Sequence, residues 1–500
     1  MDRLGATSRH APAGSPAFLD QSSAPRGVRT PGLPSGHFPP RLPVTNHRGN
    51  ALTEAIGTPS ASLTELDNRG LSPRQRYAAI LVAFGEFIDG YDLIVMGAAL
   101  ILLRPQFHLS PAATGALGAS TFLGAMVGLL VFGDMSDRWG RRAIFVANLL
   151  FFVVFSIVSA FVQSVPQLFV ARFLVGVGVG MDIPTSAAYL AEIAPRHRRG
   201  IIAGSLLNTM WIFGAMVSNL IALPLLAWTG PAAWRWMFGL AAVPAALVLL
   251  GRQALPESPR WLLAHGRTDT ARTVLRSFGI DVDAATLGRL TSSAGSYGQL
   301  FRPPFRGRVL LVALIFFLNC ISGPLSTIAV PFVLRTVGAL SNQTSLLFST
   351  LVWCTSLLGV LVGLLLIDRI GRRQLLYLAV IPEALAALFM AFAGPGHPPM
   401  LVAGFFAFSF CSWLGPAVLT WVWSSELFPT RLRGRSQGFC NAACRLAISI
   451  NIFVIPVGVA TVGFTASIVL LSLPLFALAV LARQLPFLDS GGHSLETLAE

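Results

Sequence analysis

The chain has 500 residues, of which 54% are hydrophobic and 12% charged, with a formal net charge of +14 and a mean hydropathy of +0.68. A soluble chain of this length makes roughly three domains and carries roughly 25% charged residues. This one lacks the polar side chains to cover three cores, and membrane-spanning helices account for the deficit. All 36 basic residues are arginine. Without lysine there is no Walker-type phosphate loop, Schiff base or pyridoxal phosphate site. The sequence shows neither a nucleophile–base set nor a metal-ligand spacing, so no enzyme activity, cofactor or metal is expected. The five cysteines (Cys320, Cys354, Cys411, Cys440, Cys444) lie in apolar runs and read as packing residues.

Residues 1–75 are rich in Pro, Ser, Gly and Ala and lack apolar periodicity. They are expected to form a disordered cytoplasmic tail, with no apolar run of signal-peptide length. From Tyr77 onward, apolar runs of spanning length follow one another. Twelve spans are expected, near 77–103, 112–132, 143–162, 167–190, 201–222, 236–255, 309–333, 344–367, 374–393, 400–423, 437–460 and 464–481. The long polar segment 256–308 divides them into two six-helix halves, 76–255 and 309–483, and 484–500 form a second tail. The fold class is therefore all-α and integral to the membrane. The loops after spans 2, 4, 8 and 10 hold three arginines each and the central stretch nine, from Arg252 to Arg308, which makes 21 against only Arg104, Arg235 and Arg335 in the alternate loops. The positive-inside rule makes the arginine-rich loops and both termini cytoplasmic. The basic charge thus reports topology, and nucleic acid is not an expected partner.

The halves repeat. Asp137-Arg138-Trp139-Gly140-Arg141-Arg142 recurs as Asp368-Arg369-Ile370-Gly371-Arg372-Arg373, and Glu192…Arg199 recurs as Glu426…Arg433. Parallel repeats place a substrate path at their interface near the membrane midplane. Arginines in a short glycine-hinged turn can pair with carboxylates or cap helix carbonyls, latching one access state. All the residues of these repeats except Trp139 and Ile370, fourteen residues, are the candidate gating groups.

At this point the chain resembles the major facilitator superfamily, over about residues 77–483. Within it, Pro256-Glu257-Ser258-Pro259-Arg260-Trp261-Leu262 and Arg172 to Gly180, followed by Tyr189, Glu192 and Arg199, are similar to sugar porters. The resemblance implies a twelve-helix secondary transporter working by alternating access. The run Gly176/Gly178/Gly180 reads as close helix packing in an apolar span, not as a nucleotide loop.

Charges inside spans are costly and usually functional. Span 1 holds Glu86, Asp89 and Asp92, span 4 Arg172 and Asp182, span 9 Glu383, and span 11 Arg445. At about 1.5 Å per residue, Asp92 and Arg172 both lie about 8 Å below the outer face, so they can pair. The pair reads either as a static brace or as a proton-coupling unit. Sugar–proton symporters carry an Asp and an Arg at the matching places, which implies the second. Asp89-Gly90-Tyr91-Asp92 is similar to aromatic-acid–proton symporters, and Gly180-Met181-Asp182 to phosphate–proton symporters. Asp89 and Asp182, read as lacking a cationic neighbour, are the next proton carriers; Glu86 reads equally well as structural.

Substrate candidates are Arg445, Asn441, Asn319, Trp421, Asn208 and Trp211. Span 7 reads Asn319-Cys320-Ile321-Ser322-Gly323 where sugar porters have Gln-Gln-Leu-Ser-Gly, which weighs against a hexose. Span 10 keeps the first Gly-Pro of the glucose-carrier pattern, Gly415-Pro416, but not its two later prolines, so a different bend is expected. Trp423 reads as an interfacial anchor. Arg445 lies about 12–14 Å into span 11; it either holds a substrate's negative charge or stands paired with Glu383 or another buried acid. The expected function is symport of a small organic anion with protons across the plasma membrane by a monomer in the lipid bilayer. A sugar or polyol symporter is the alternative, and a ligand sensor without transport is a third.

Overall fold

The computed structural model describes residues 71–193, 206–279, 297–326, 329–394, 396–428 and 430–484. The expected tails, except 71–75 and Gln484, and Arg199 lie outside them. Spans 1 to 5 are α1 (Pro73–Gln106), α2 (Pro111–Trp139), α3 (Arg141–Phe161), α4 (Val165–Ile193) and α5 (Leu207–Thr229). Span 6 is α6 (Ala233–Leu240) with α7 (Ala242–Gln253). Between the halves lie the short α8 (Pro259–Ala264), α9 (Thr268–Ser277) and α10 (Tyr297–Leu300). Span 7 is α11 (Phe305–Ser322) with α12 (Ala329–Thr336). Spans 8 and 9 are α13 (Asn342–Ile370) and α14 (Arg372–Ala393), and span 10 is α15 (Pro398–Leu414) with α16 (Pro416–Glu426). Spans 11 and 12 are α17 (Thr430–Thr461) and α18 (Phe464–Gln484).

Local chemistry sets the ends. Ser72 and Gln75 form a reciprocal capping box on α1, and the Gln75 amide also donates to the Ile193 carbonyl (2.8 Å), tying span 1 to the end of span 4. The two Asp-Arg-x-Gly-Arg-Arg stretches, expected as turns, are helical almost throughout. α2 runs to Trp139 and α13 to Ile370, and one glycine separates each from the next helix. Gly140 (φ 98°) and Gly371 (φ 82°) adopt backbone that L side chains rarely enter, so glycine makes a one-residue reversal possible. Span 7 breaks after Ser322 at Gly323-Pro324, and span 10 breaks at Gly415-Pro416, where the proline takes the first position of α16 and needs no amide partner.

Within the first half α2 and α4 approach closely. A Cβ on Gly176 would stand 1.9 Å from the Thr121 carbonyl oxygen, and one on Gly180 2.3 Å from that of Ala125. The expected packing role of the glycine run is thus a steric requirement. One apolar core fills the second half, and a second fills the first half and continues across the interface to Trp353 and Ile452. The halves meet where α2 packs on α17 and α5 on α13. Trp423 is not an interfacial anchor: it is fully buried in the second half's core. Leu247, Leu365, Leu385 and Phe392 face outward, as a bilayer requires.

Candidate transport site

Helix geometry brings Asp92 and Arg172 together. Arg172 donates from Nη1 to Asp92 Oδ1 (2.8 Å) and from Nη2 to Oδ2 (2.5 Å). A third bond runs from Nη2 to the Asp92 carbonyl (2.9 Å), and the guanidinium lies 4.6 Å from the centre of the Phe238 ring. Both side chains are wholly removed from solvent. A bidentate pair so enclosed keeps its charges only while both partners are present.

Asp182 departs from expectation. It does have a cationic neighbour: Arg252, in the last turn of α7, donates to its two carboxylate oxygens at 2.6 and 3.1 Å, and to the Val82 carbonyl at 3.1 Å. By sequence Arg252 groups with the arginines of the central stretch, because it stands one turn from the end of span 6. It is in fact 0% exposed and stacked over Phe145 at 4.5 Å. Asp89, one turn from Asp92, is buried with Oδ2 unpartnered, and oxygens of Glu86, Asp89 and Asp182 lie within 4.8 Å of one another.

Arg445 is buried in α17 with its Cζ 5.7 Å from the centre of the Phe122 ring, across the interface between the halves. Among the described residues no carboxylate lies within 4.0 Å of it, so the standing pair with Glu383 does not form. Glu383 is buried with neither carboxyl oxygen in hydrogen-bonding geometry. Asn319 is buried with Oδ1 unpartnered, whereas the Asn441 amide donates to its own helix at Gln437. Asn208 is half-buried on α5. Trp211, three residues on, stacks against Trp413 (5.7 Å between ring centres) and meets Trp353 edge-on (5.5 Å). The side chain of Trp421 lies outside the described residues.

The candidate gating residues of the first half come together with Glu257 on the arginine-rich face. Arg141 pairs with Asp137 (2.6 Å) and Glu192 (3.2 Å). Arg138 pairs with Asp134, and Arg142 donates to the Gln253 carbonyl. Glu257 caps α3 from a distance, accepting from the Arg141 and Arg142 amides at 2.9 and 3.1 Å, an anion at a helix N-terminus. In the second half Arg373 donates to the Arg483 carbonyl and Arg369 is exposed; Arg372 and Gly371 are partly covered. The side chains of Asp368, Glu426 and Arg433, like all of Arg199, lie outside the described residues.

The link across the halves brings the first motif's Asp137 together with two residues outside the repeated motif, Arg435 and Asp134. Arg435 of α17 pairs with Asp137 (2.9 Å) and Asp134 (3.2 Å) of α2. Asp134 sits one turn before Asp137, a spacing that could have marked it. Beside this pair, Tyr297 of α10 sets its ring 5.9 Å from Arg435 and its hydroxyl at Gly133 and Gly438, one on each half. Burial there pushes its phenol up to about 12.

Comparison with known proteins agrees with this architecture. The family described as sugar (and other) transporter matches residues 78–488. The arabinose-proton symporter of Bacillus subtilis is 32% identical over 377 residues, 71% of this chain and 80% of that protein. The inner membrane metabolite transport protein YgcS of Escherichia coli is 30% identical over 416 residues, 83% and 91% respectively. The solved structure of the proton:xylose symporter XylE superposes with a TM-score of 0.70 at 23% identity, covering 86% of this chain and 99% of its own, a likeness of fold. Twelve helical spans in two repeated halves, buried charge pairs between spans and a family match over four-fifths of the chain lead to one conclusion: the protein belongs to the sugar (and other) transporter family, with the major facilitator fold, and is a secondary transporter and not an enzyme.

Proposed function

We propose that the protein is a proton-coupled symporter of a small, sugar-like metabolite in the plasma membrane, working by alternating access as a monomer with its arginine-rich face cytoplasmic. The observation that carries this reading is the enclosed Asp92–Arg172 pair. Protonating Asp92 releases the arginine from its partner, so proton occupancy and helix packing are linked. The named substrates of the relatives, arabinose and xylose, support a polyhydroxylated ligand. Trp211, at the interface between the halves, provides an aromatic face for it, and Asn319, buried in the second half with Oδ1 unpartnered, an amide.

Arg445 favours a second reading, a carboxylate. Its guanidinium is buried without an acid within 4.0 Å among the described residues, and a guanidinium grips a carboxylate through two hydrogen bonds. The test is uptake into proteoliposomes under a pH gradient, comparing L-arabinose and D-xylose with their aldonic acids. Accumulation of the neutral sugars, insensitive to Arg445→Gln, supports the sugar reading. Accumulation of the acids, lost in Arg445→Gln, supports the carboxylate. Binding without accumulation of any would leave a sensor. Topology is checked separately: cysteines introduced at Gly230 and Asn342 are expected to label from outside intact cells.

A further inference from the structure

The five cysteines are not equivalent in the structure. Cys440 is fully enclosed in the second half's core, and Cys354 is exposed. Cys320 of α11 and Cys444 of α17 are half-buried, and their side chains are in hydrogen-bonding contact with each other. Helix packing sets this up. α11 and α17 lie against one another, and the Asn451 amide of α17 donates to the Ile321 carbonyl of α11. Asn451 follows Cys444 by about two helical turns, so both share the face of α17 that is turned toward α11.

The pair lies in the candidate transport site. Cys320 follows Asn319, and Cys444 precedes Arg445, whose charge reaches both thiols. A partly exposed thiol beside a guanidinium is the setting in which cysteines react, because the thiolate is the nucleophile. Cys320 stands where sugar porters carry the second glutamine of Gln-Gln-Leu-Ser-Gly, so the pair arises where this chain departs from that pattern. Sulfurs in contact on neighbouring helices need to close only to about 2.0 Å to bond. Span 7 breaks at Gly323-Pro324, so a bond at Cys320 would fasten the helix to span 11 just before the break.

We propose that Cys320 and Cys444 form a redox-modification site in the transport path: a hydroperoxide oxidises the pair to a disulfide that ties span 7 to span 11 beside Asn319 and Arg445 and arrests transport. One thiolate attacks the peroxide, giving a sulfenic acid and, with hydrogen peroxide, water. The other thiol attacks the sulfenic sulfur and releases a second water. Two thiols and one hydrogen peroxide thus become one disulfide and two waters, the peroxide taking both electrons. A small dithiol reverses the change by thiol–disulfide exchange and is itself oxidised. The loss of uptake rests on the proposed symport, but formation of the disulfide does not.

The experiment treats the purified full-length protein in lipid vesicles with hydrogen peroxide, blocks the remaining thiols and digests it with trypsin. Cleavage after arginine leaves Cys320 in the peptide 309–335 and Cys444, with Cys440, in 436–445. Mass spectrometry is expected to find these two peptides linked, and dithiothreitol is expected to separate them. The link should vanish in Cys320→Ser and in Cys444→Ser and persist in Cys440→Ser. Uptake of whichever sugar or aldonic acid the protein accumulates is expected to fall severalfold on oxidation and to recover with dithiothreitol. In Cys320→Ser the ratio of oxidised to reduced uptake should stay near one. Absence of the linked peptide, or a link that survives Cys444→Ser through Cys440, overturns the proposal. So does a linked protein whose uptake equals that of the reduced one. Reduced vesicles that accumulate none of the solutes would count against the symport reading, while the linked peptide still decides for or against the site.

Discussion

Asp92 and Arg172 meet because two antiparallel spans carry them to the same depth, and depth follows from counting residues along a helix. That pair was legible in the sequence. Arg252 was not, for a physical reason: an arginine one turn from a span's end looks like any topogenic loop residue, and only packing against Asp182 and Phe145 shows it is enclosed. Arg435 was hidden in the same way among three loop arginines. Breaking one side of an enclosed pair costs about 3–5 kcal/mol through the charge left behind. Arg172→Ala is therefore expected to lower the thermal midpoint in detergent as well as uncouple transport. Asp92→Asn keeps an acceptor oxygen for the arginine and is the gentler change. It is expected to abolish accumulation driven by a pH gradient while counterflow exchange, which moves no net proton, continues. Accumulation by both variants at the wild-type level would exclude a coupling role for the pair.

Among the elements, the twelve spans were readable because hydropathy reports length directly, and the structure places each apolar run in a helix or a broken helix. The ends were less readable. α2 and α13 continue through charged motif residues, since helix propensity does not stop where the bilayer does and only the glycine halts them. Close packing of α2 on α4 predicts a steric effect. Gly176→Leu would drive a side chain into the Thr121 carbonyl and is expected to cost about 1–3 kcal/mol or more. Size-exclusion profiles and thermal midpoints would report it, and a variant as stable as wild type would show that the helices can part there freely.

For the whole molecule, the two halves are joined on the arginine-rich face by Arg435 bridging to Asp134 and Asp137. Arg435→Ala removes that link and is expected to shift the population toward conformations open on this face. In a chain cleared of native cysteines, Asn441→Cys should then react severalfold faster with a thiol reagent applied from that side, and an unchanged rate would mean the link holds nothing closed. Such rearrangements also have an optical consequence. Trp211 belongs to the first half and Trp353 and Trp413 to the second, with ring centres 5.5–6.0 Å apart. Indoles so close share electronic excitation, so the coupling of Trp211 to Trp353 and Trp413 adds to the near-ultraviolet circular dichroism a component that exists only while the halves touch at this point. Each transport cycle that parts them would switch that signal off and on, giving the protein a native spectroscopic clock that needs no attached dye.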